Sequence, residues 1–491
     1  MKDLPRHPGA THWNSSIEKE GRPAGSCMTG SQGCRRASLL KRSAPWAPPA
    51  DQMKAALRLL LPCLLAEVWL VPGLAPGSQS PEARAGPEAL QTPTEQYNTF
   101  QREQAPEEEQ EKEPWLTASG HWLCEDIFNL GFNLLRKISR RHEGNVVFSP
   151  LSLSRAMAAL MLGATGQTDA QLGSGLLQTW NQTGPGHLPA LLQWLREHLS
   201  HNQELGLSQG SLAFIHEDFD IKETFLNLSK RYFDTECVTM NFRNVSQAQR
   251  LMNHYINKET QGKIPELFAE INPDTKLILV DYVLFKGQWL TPFDPVFTEV
   301  DTFHLNKYKA VKVPMMYRAG DFAATFDKSF RCHVLRLPYQ GNTAMLVVLM
   351  ERMGDHLALE DYLTPELVDT WLRNMKTRNM EVFFPKFKLD QKYEMHKLLK
   401  QMRIKKIFSP WANLSELSAA ERNLKVSKVL QEAVIEVNEK GTEAVSGTMS
   451  EIIAYSMPPV IKVDRPFHFL IYEETSRMLL FLGRVVNPAL L

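Results

Sequence analysis

The chain has 491 residues, of which 43% are hydrophobic and 22% are charged, and its 55 basic and 55 acidic side chains give a formal net charge of zero. This composition is that of ordinary globular proteins and excludes a collagen-like, a wholly disordered or a multi-span membrane protein. Neutrality gives no reason to expect a nucleic-acid partner, and six cysteines are too few for a disulfide-stapled fold.

The zero net charge hides an uneven distribution, because the front of the chain is basic and the segment after it is acidic. Residues 1–52 are polar, basic and rich in Pro, Ser and Gly, which predicts a disordered leader or an upstream extension of the gene model. Residues 53–75 combine a short basic start with an apolar run, which is typical of a secretory signal peptide beginning at Met53. A buried core helix is the alternative, but Pro62 and Pro72 would break it. A signal anchor would need a longer charge-free span.

The next segment, residues 76–115, is rich in Pro and Glu and has a net charge of −6. Such a segment cannot bury a core, so it is predicted to be an acidic disordered tail. Binding of a basic partner by this tail is the functional alternative. Residues 1–75 carry a net charge of +5, which leaves the remaining domain, residues 116–491, nearly neutral at +1.

Few side chains in this domain have the pattern of a metal site or a disulfide. Cys124, Cys237 and Cys332 are odd in number and far apart, so we expect them to pack as small hydrophobes. His198 and His201 have HxxH spacing, but no carboxylate or Cys cluster lies near them and no metal site is predicted. Secretion predicts N-glycosylation at some of four sequons, which begin at Asn181, Asn227, Asn244 and Asn413.

Residues 116–491 are predicted to form one domain with helices early and strands late. Apolar residues at helical spacing predict a first helix from Leu123 to Ile138, and Ser149-Pro150 opens a second helix that ends at Gly163. This order predicts an α+β fold rather than a doubly wound parallel sheet. The predicted strands, rich in aliphatic and aromatic residues, are Leu277–Phe285, Ala344–Met350, Glu381–Phe387, Val434–Val437, Val460–Val463, His468–Tyr472 and Met478–Leu482.

The loop of residues 438–459 is unusually long for a structureless connection, and such loops are functional or disordered. It has no proline from 441 to 457 and two at Pro458-Pro459, as suits a segment that can join a sheet and then must stop. A strand-forming segment and a flexible loop of small residues are equally supported by composition. If the loop became a strand, four small residues would share one face without overpacking it: Thr442, Ala444, Ser446 and Thr448.

Six motifs, in order along the chain, resemble the serpin family. Gly441-Thr442-Glu443-Ala444 is similar to the hinge of the serpin reactive loop, Asp464–Ile471 to the signature that follows it, and Phe481–Pro488 to the C-terminal strand. Three upstream motifs also match: Asn145–Pro150, Thr260–Ile264 and Phe285–Trp289. The resemblance covers about residues 118–491. It implies a serpin fold with three β-sheets, eight or nine helices and an exposed, metastable reactive-centre loop.

The resemblance also implies a mechanism. In serpins the cleaved bond lies fourteen residues after the hinge glycine Gly441, which places it between Tyr455 and Ser456. A serine protease would form an acyl-enzyme with Tyr455, and insertion of the hinge into the sheet would trap the protease before deacylation. The chain itself would not be an enzyme, and it has no nucleophile motif.

Two other functions are considered from the loop. Tyrosine suits a hydrophobic primary pocket, so Tyr455 alone predicts a chymotrypsin-like target. A non-inhibitory serpin that acts as a carrier or chaperone would have bulky, charged or proline residues in the hinge, and the small side chains there argue against that reading.

The acidic extension and residues 454–459 resemble clade A anticoagulant serpins of plasma. That resemblance implies a secreted, monomeric glycoprotein that inhibits coagulation factor Xa with protein Z, phospholipid and calcium, and factor XIa without them. By the same resemblance, Lys307, Tyr308 and Asp361 are the candidate contacts for protein Z, and an aromatic residue beside charges is typical of a binding hot spot. The alternative is that they are solvated charges and an amphipathic tyrosine.

Two departures from family patterns bear on function. Many serpins have an asparagine and a histidine where the central sheet opens, beside Ser149 and Ser152, and the matching positions here are Asp281 and Gln431. A buried carboxylate is costly unless it is hydrogen-bonded, so Asp281 either sets how firmly the sheet is closed or pairs locally.

The second departure concerns residues 181–200, where heparin-activated serpins place basic side chains. Weak or absent heparin activation is therefore expected. Three positions at which a close relative has lysine are Asn181, Gly184 and Gln193, and the remaining basic or titratable residues are Arg196, His187 and His198.

Overall fold

The structure is a computed structural model that describes residues 107–179, 187–419, 423–440 and 458–490, all within the unit Tyr97–Leu491. Several sequence predictions lie outside these residues: the leader, the signal peptide, the tail before residue 107, Asn181, Gly184, the hinge at 441–448 and the bond Tyr455-Ser456. No helix of the described part is both long enough and apolar enough to cross a membrane.

The described residues form nine α-helices and fourteen strands. The helices are α1 (Glu107–Ser139), α2 (Pro150–Met161), α3 (Gly166–Leu176), α4 (His187–His201), α5 (Glu223–Phe233), α6 (Val245–Glu259), α7 (His356–Leu359), α8 (Pro365–Asn374) and α9 (Met395–Gln401). The strands are β1 (Val146–Phe148), β2 (Leu207–His216), β3 (Thr235–Met240), β4 (Leu277–Phe285), β5 (Glu299–His304), β6 (Ala310–Asp327), β7 (Cys332–Tyr339), β8 (Thr343–Met350), β9 (Lys376–Pro385), β10 (Phe387–Glu394), β11 (Val426–Val437), β12 (Val460–Lys462), β13 (Phe467–Glu473) and β14 (Leu479–Val485).

Two hydrogen-bonded sheets carry the fold. Five strands in the order β10-β11-β4-β2-β3 form one sheet, and nine form the other, in the order β1-β14-β13-β8-β7-β6-β9-β12 with β5 on β6. The α+β class is confirmed. The implied second and third sheets are continuous here because β6, with 18 residues, pairs with β5 along its first part, with β9 along its middle and with β7 at its end.

Helix α2 occupies the centre of the core. Every one of its residues is buried, and it packs between β14 of the large sheet and β4 of the five-stranded sheet. Ser149 caps it by accepting a hydrogen bond from Ser152 N at 3.1 Å, as the Ser-Pro pair predicts. The opposite face of the five-stranded sheet is covered by α6, whose Met252 and Ile256 join a second apolar cluster.

Two predicted boundaries differ from the structure. The predicted strand Glu381–Phe387 is two strands, β9 and β10, because Pro385 has no N–H to donate and Lys386 N turns to bond Pro314 O at 2.9 Å. Helix α1 starts at Glu107, inside the segment assigned to the acidic tail. Of the other predicted strands, Leu277–Phe285 is observed with the same ends, and the rest are observed with shifted ends.

Candidate functional site

The loop of residues 438–459 starts at the end of β11 in the five-stranded sheet and ends at β12 in the nine-stranded sheet. In the five-stranded sheet β11 pairs directly with β4, in parallel, from Val426 opposite Leu277 to Ile435 opposite Phe285. The sheet is therefore closed at the position between these two strands. A segment that followed β11 and turned back could enter there only by separating them.

Buried polar side chains join β11, β4 and α2 midway along this closed pair. Gln431 lies opposite Asp281, and its Nε2 donates to Asp281 Oδ2 at 2.6 Å and to Ser149 O at 2.9 Å. Ser152 Oγ donates to Asp281 Oδ1 at 2.5 Å, and Ser149 N donates to Gln431 Oε1 at 3.0 Å. All four side chains are fully buried or nearly so. The four sequence-predicted residues thus form one network that spans the junction.

The Asp281 carboxyl is an unusual group for this position. Burial raises its pKa above the ordinary value, and the hydrogen bonds from Gln431 and Ser152 and the charge of Arg155 only partly oppose that rise. Arg155 is itself 5% exposed on α2, and burial lowers its pKa. Two opposite charges in an apolar interior stabilise little unless fully hydrogen-bonded, and Arg155 Nε has no partner among the described residues.

We predict that Asp281→Asn stabilises the folded protein. A raised pKa means that the folded state holds a proton over a pH range in which the unfolded carboxyl has lost it, so stability falls as the pH rises through that range. Removing the charge should therefore raise the free energy of unfolding by about 1–3 kcal/mol at pH 7. Thermal unfolding between pH 4 and pH 7 measures this.

The control for that prediction is Asp274→Asn, since Asp274 is exposed on the loop before β4. The difference between the Asp281 variant and the unaltered chain should grow with pH, whereas Asp274→Asn should show no such trend. A variant at Asp281 that is less stable than the unaltered chain at pH 7 would show that the carboxylate is stabilising where it lies.

The start of the loop is fixed at the end of β11. Trp289 Nε1 donates to Asn438 O at 2.7 Å, and the buried indole stacks on the Tyr339 ring at 4.1 Å. Glu439 is 8% exposed. Its carboxylate accepts a hydrogen bond from Thr298 Oγ1 at 2.9 Å and forms an ion pair with Lys386 Nζ at 2.8 Å.

The Glu439 carboxylate is held in its charged form. Burial alone would raise its pKa, but hydrogen bonds, with Lys386 the foremost donor, hold it below the ordinary value. These contacts were not foreseen, because nothing in the sequence brings Lys386 and Trp289 to the end of β11.

The candidate protein Z contacts lie on the exposed surface. Tyr308 is 94% exposed on the hairpin between β5 and β6, where Asn306 Oδ1 accepts hydrogen bonds from the backbone N–H groups of Tyr308 and Lys309. Lys307 is exposed beside it. A short turn with an internal side-chain bond presents the ring to solvent without support from other side chains.

Asp361 is also exposed, and it lies on a turn whose backbone is hydrogen-bonded to α1. Arg136 of α1 donates through Nε to Glu360 O at 2.9 Å and through Nη2 to Leu363 O at 2.5 Å. The buried Glu360 carboxylate contacts His468 Nε2 at 2.8 Å. Both the backbone and the preceding side chain of this turn are therefore fixed, which the sequence did not indicate.

A chain of contacts connects the hairpin that carries Tyr308 to the turn that carries Asp361. His304 N, at the base of the hairpin, donates to Asp464 O at 2.7 Å, and Arg465 Nε donates to Met350 O at 2.9 Å. The next contacts are an ion pair of 2.6 Å between Arg331 and Glu351, and the Phe330 ring 5.5 Å from that of Tyr362, the neighbour of Asp361.

Helix α4 offers little positive charge. The Arg196 side chain is 20% exposed and lies 3.4 Å from Glu197 Oε1, which also accepts from Gln193 Nε2 at 2.9 Å. His198 stacks on Trp194 and His201 Nδ1 contacts Glu197 O at 2.6 Å. In the described part of the chain no three His, Cys, Asp or Glu side chains form a group that could hold a metal ion.

Three of the four sequons are described, and Asn227, Asn244 and Asn413 are all exposed. Cys124 and Cys332 are buried free thiols, and burial raises the pKa of both to about 12, as expected for cysteines that pack as hydrophobes.

Comparison with known proteins identifies this arrangement. A family model described as serpin (serine protease inhibitor) matches residues 125–488. The chain belongs to the serpin family. It closely resembles human protein Z-dependent protease inhibitor, with 71% identity over 453 residues that cover 89% of this chain and all of that protein. The mouse protein of the same name is 65% identical over 449 residues, with the same coverage.

Two solved serpin structures have the same fold as this chain. The crystal structure of mouse protein Z-dependent protease inhibitor matches with a TM-score of 0.73 and 68% identity over 77% of this chain and 100% of that one. A thyroxine-binding globulin in complex with thyroxine matches with a TM-score of 0.68 and 30% identity over 75% of this chain and 99% of that one. The serpin fold therefore accommodates a thyroxine-binding protein as well as a protease inhibitor, so the fold alone does not decide the function.

Proposed function

We propose that this serpin is a secreted suicide inhibitor of serine proteases that is cleaved between Tyr455 and Ser456. The observation that carries the proposal is the closed junction of β4 and β11, directly beside the start of the loop. A protease that cleaved the loop would free its first part from β12, and that part would then be able to fold back along β11.

The geometry of insertion follows from strand directions. Because β4 and β11 are parallel, a segment that turns back after β11 runs antiparallel to both. One parallel pairing is replaced by two antiparallel ones, whose hydrogen bonds are straighter. The inward side chains of the segment would be Thr442, Ala444, Ser446 and Thr448, which are small enough for a packed sheet.

The network at Asp281 opposes this step until cleavage. Opening the junction breaks the bond between Gln431 and Asp281 and exposes side chains that are now buried. Insertion of the loop is therefore opposed by local bonds, and the stabilisation of the inserted state is released only when the protease has formed its acyl bond with Tyr455. The protease supplies the chemistry, and this chain supplies no catalytic group.

Factor Xa, with protein Z, phospholipid and calcium, and factor XIa are the proposed targets. Protein Z is proposed as the cofactor because the similar proteins are named protein Z-dependent protease inhibitor. Tyr455 is a poor match for an acidic primary pocket that prefers arginine, so affinity has to come from a cofactor that holds inhibitor and protease on one surface. Contact with the membrane would be indirect, through protein Z.

Rate constants separate these targets from the alternative. We expect inhibition of factor Xa to be slow alone and about 100-fold or more faster with protein Z, phospholipid vesicles and calcium, as effective concentration predicts. Factor XIa should be inhibited without them. Fast inhibition of chymotrypsin, with no effect of protein Z on factor Xa, would instead support the chymotrypsin-like specificity that Tyr455 favours.

We predict that Tyr308→Ala and Asp361→Ala weaken protein Z binding by about 2 kcal/mol or more each, because exposed aromatic and charged residues on fixed turns are typical hot spots. The measurement is a titration with protein Z. Trp411→Ala serves as the control, since Trp411 is 79% exposed but lies between α9 and β11 in the chain, on neither of the two turns. Equal affinity of the two test variants and the unaltered chain would remove both residues from the interface.

A further inference from the structure

The residue before Asp361 places a carboxylate in the protein interior. Glu360 is 2% exposed, although it begins the same turn, Glu360–Tyr362, on which Asp361 is exposed. Its Oε1 lies 2.8 Å from His468 Nε2 and accepts a hydrogen bond from Arg484 Nη1. His468 on β13 and Arg484 on β14 are both fully buried and lie opposite each other in the antiparallel register. We call Glu360, His468 and Arg484 the Glu360 cluster.

Arg484 extends this cluster to the end of α1. Its Nη1 also donates to Ser139 Oγ at 2.8 Å, and its Nη2 donates to His142 O at 2.7 Å and to Gly144 O at 3.0 Å. A single buried guanidinium therefore joins the end of α1, strand β14 and the turn that carries Asp361.

Asp361 itself is held by its backbone while its charge stays available. Arg136 bonds the carbonyl of Glu360, directly before it, and that of Leu363, two residues after it. The Asp361 carboxylate has no hydrogen-bond or ion-pair partner among the described residues. An unpaired charge on a fixed backbone is preorganised for a partner, because little conformational entropy is lost when it binds.

Stability alone does not account for the Glu360 cluster. Strands β13 and β14 are buried along their whole lengths, where apolar side chains are usual. Replacing a buried ion pair by well-packed apolar residues is often neutral or stabilising. In addition, His468 Nδ1 has no hydrogen-bond partner within the described part of the chain, and a buried polar atom without a partner is costly. What the cluster provides instead is a fixed geometry for the turn above it.

We propose that Glu360, His468 and Arg484 are positioning residues, which hold the Asp361 turn in the geometry that protein Z requires. They do not touch the partner, and they act through Asp361. The inference rests on the proposed function, in which Asp361 contacts protein Z. It adds that affinity for protein Z is set partly by side chains beneath the surface. Inhibition of factor XIa, which is proposed to need no protein Z, should not depend on them.

The surroundings of the cluster also exclude a proton. His356 is 9% exposed, and its ring centre lies 6.3 Å from that of His468. Burial, with the nearby His468 and Arg484, lowers the pKa of His356 to about 4 against the opposing charge of Glu360. Burial would raise the pKa of Glu360, but the hydrogen bond from His468 and the charges of His468 and Arg484 hold it below its ordinary value.

These pKa shifts give the turn a sensitivity to acid. In the fixed turn His356 stays uncharged at pH 5.5, whereas in a loosened turn it would take up a proton below a pH of about 6.5. The loosened turn therefore binds more protons, and the fixed turn loses stability relative to it as the pH falls. Glu360 remains ionised over this range, so it does not oppose the effect.

His468→Leu tests the positioning role. It removes the contact to Glu360 and the unpaired Nδ1 and keeps a buried side chain of similar size. We expect protein Z binding to weaken by about 10-fold or more, as for the loss of a hydrogen bond to a charged group, with an unchanged rate constant for factor XIa. His468→Gln retains an N–H donor and should restore part of the affinity. His216→Leu is the matched control, since His216 is equally buried on β2 of the five-stranded sheet, and it should leave protein Z binding unchanged.

A pH profile provides a readout that a merely structural role would not move. Between pH 7.4 and pH 5.5 the unaltered chain should lose up to about 10-fold more affinity for protein Z than His356→Leu does. The titratable groups of protein Z are the same in both titrations, so their contribution cancels in the comparison.

Three results would overturn the inference: unaltered protein Z affinity in His468→Leu while Asp361→Ala weakens binding, an equal loss of factor XIa inhibition and protein Z binding in His468→Leu, or parallel pH profiles for the unaltered chain and His356→Leu. If Asp361→Ala itself leaves binding unchanged, the proposed contact is wrong and the inference is wrong with it. Failure of the inference alone is thus distinguishable from failure of the contact, and inhibition of factor XIa is measured separately from both.

Discussion

Ala444→Arg should abolish inhibition, whereas Val445→Arg, one residue later, should leave it largely intact. Side chains alternate between the two faces of a strand, so an inserted loop would direct residue 444 into the core beneath the sheet and residue 445 away from it. A buried, unpaired guanidinium costs several kcal/mol. We therefore expect the rate constant for complex formation to fall more than about 100-fold in the first variant.

The two variants add the same side chain at neighbouring positions of the same loop, which makes each a control for the other. The protease should still cleave Ala444→Arg, but as a substrate, so the loop is consumed without a stable complex. The measurement is the ratio of inhibitor cleaved to protease trapped. Equal loss in both variants would mean that the loop fails for another reason than insertion, such as poor recognition by the protease.

Tyr455→Arg should have the second largest effect, in the opposite direction. An arginine would pair with the acidic primary pocket of trypsin-like proteases, and a desolvated charge pair of this kind is worth about 2–5 kcal/mol. We expect inhibition of factor Xa without protein Z to become at least about 30-fold faster, which corresponds to the lower end of that range. Second-order rate constants with and without protein Z measure this, and the acceleration by protein Z should shrink in relative terms.

Tyr455→Phe is the control, because it keeps the ring and loses only the hydroxyl. It should retain the rates of the unaltered chain with factor XIa and chymotrypsin, whereas Tyr455→Arg should lose inhibition of chymotrypsin. Unchanged rate constants for trypsin-like proteases in Tyr455→Arg would count against Tyr455 as the residue that enters the primary pocket.

The elements that sequence predicted best are those with strong local patterns. The Ser149-Pro150 helix start and the aliphatic run at Leu277–Phe285 both match observed elements, because their signals are contained in a few adjacent residues. The split of Glu381–Phe387 was missed because Pro385 ends one strand only when Pro314 O is there to accept Lys386 N. That hydrogen bond joins positions far apart in the chain.

The candidate site also combines features that a local sequence pattern indicates with contacts that depend on the fold. The network of Asp281 and Gln431 was anticipated as a region, but its bonds depend on the parallel register of β4 and β11, which no local pattern specifies. Arg136 was missed entirely, since it stabilises the Asp361 turn through two backbone carbonyls that sequence leaves unmarked.

The most direct test of the central claim is to mix the purified protein with factor XIa and analyse the products by denaturing electrophoresis and mass spectrometry. Insertion after cleavage predicts a complex of protease and inhibitor that survives SDS, together with a released peptide that begins at Ser456. Cleavage at that bond with free, active protease and no SDS-stable complex would contradict it, because the chain would then be a substrate rather than a trap.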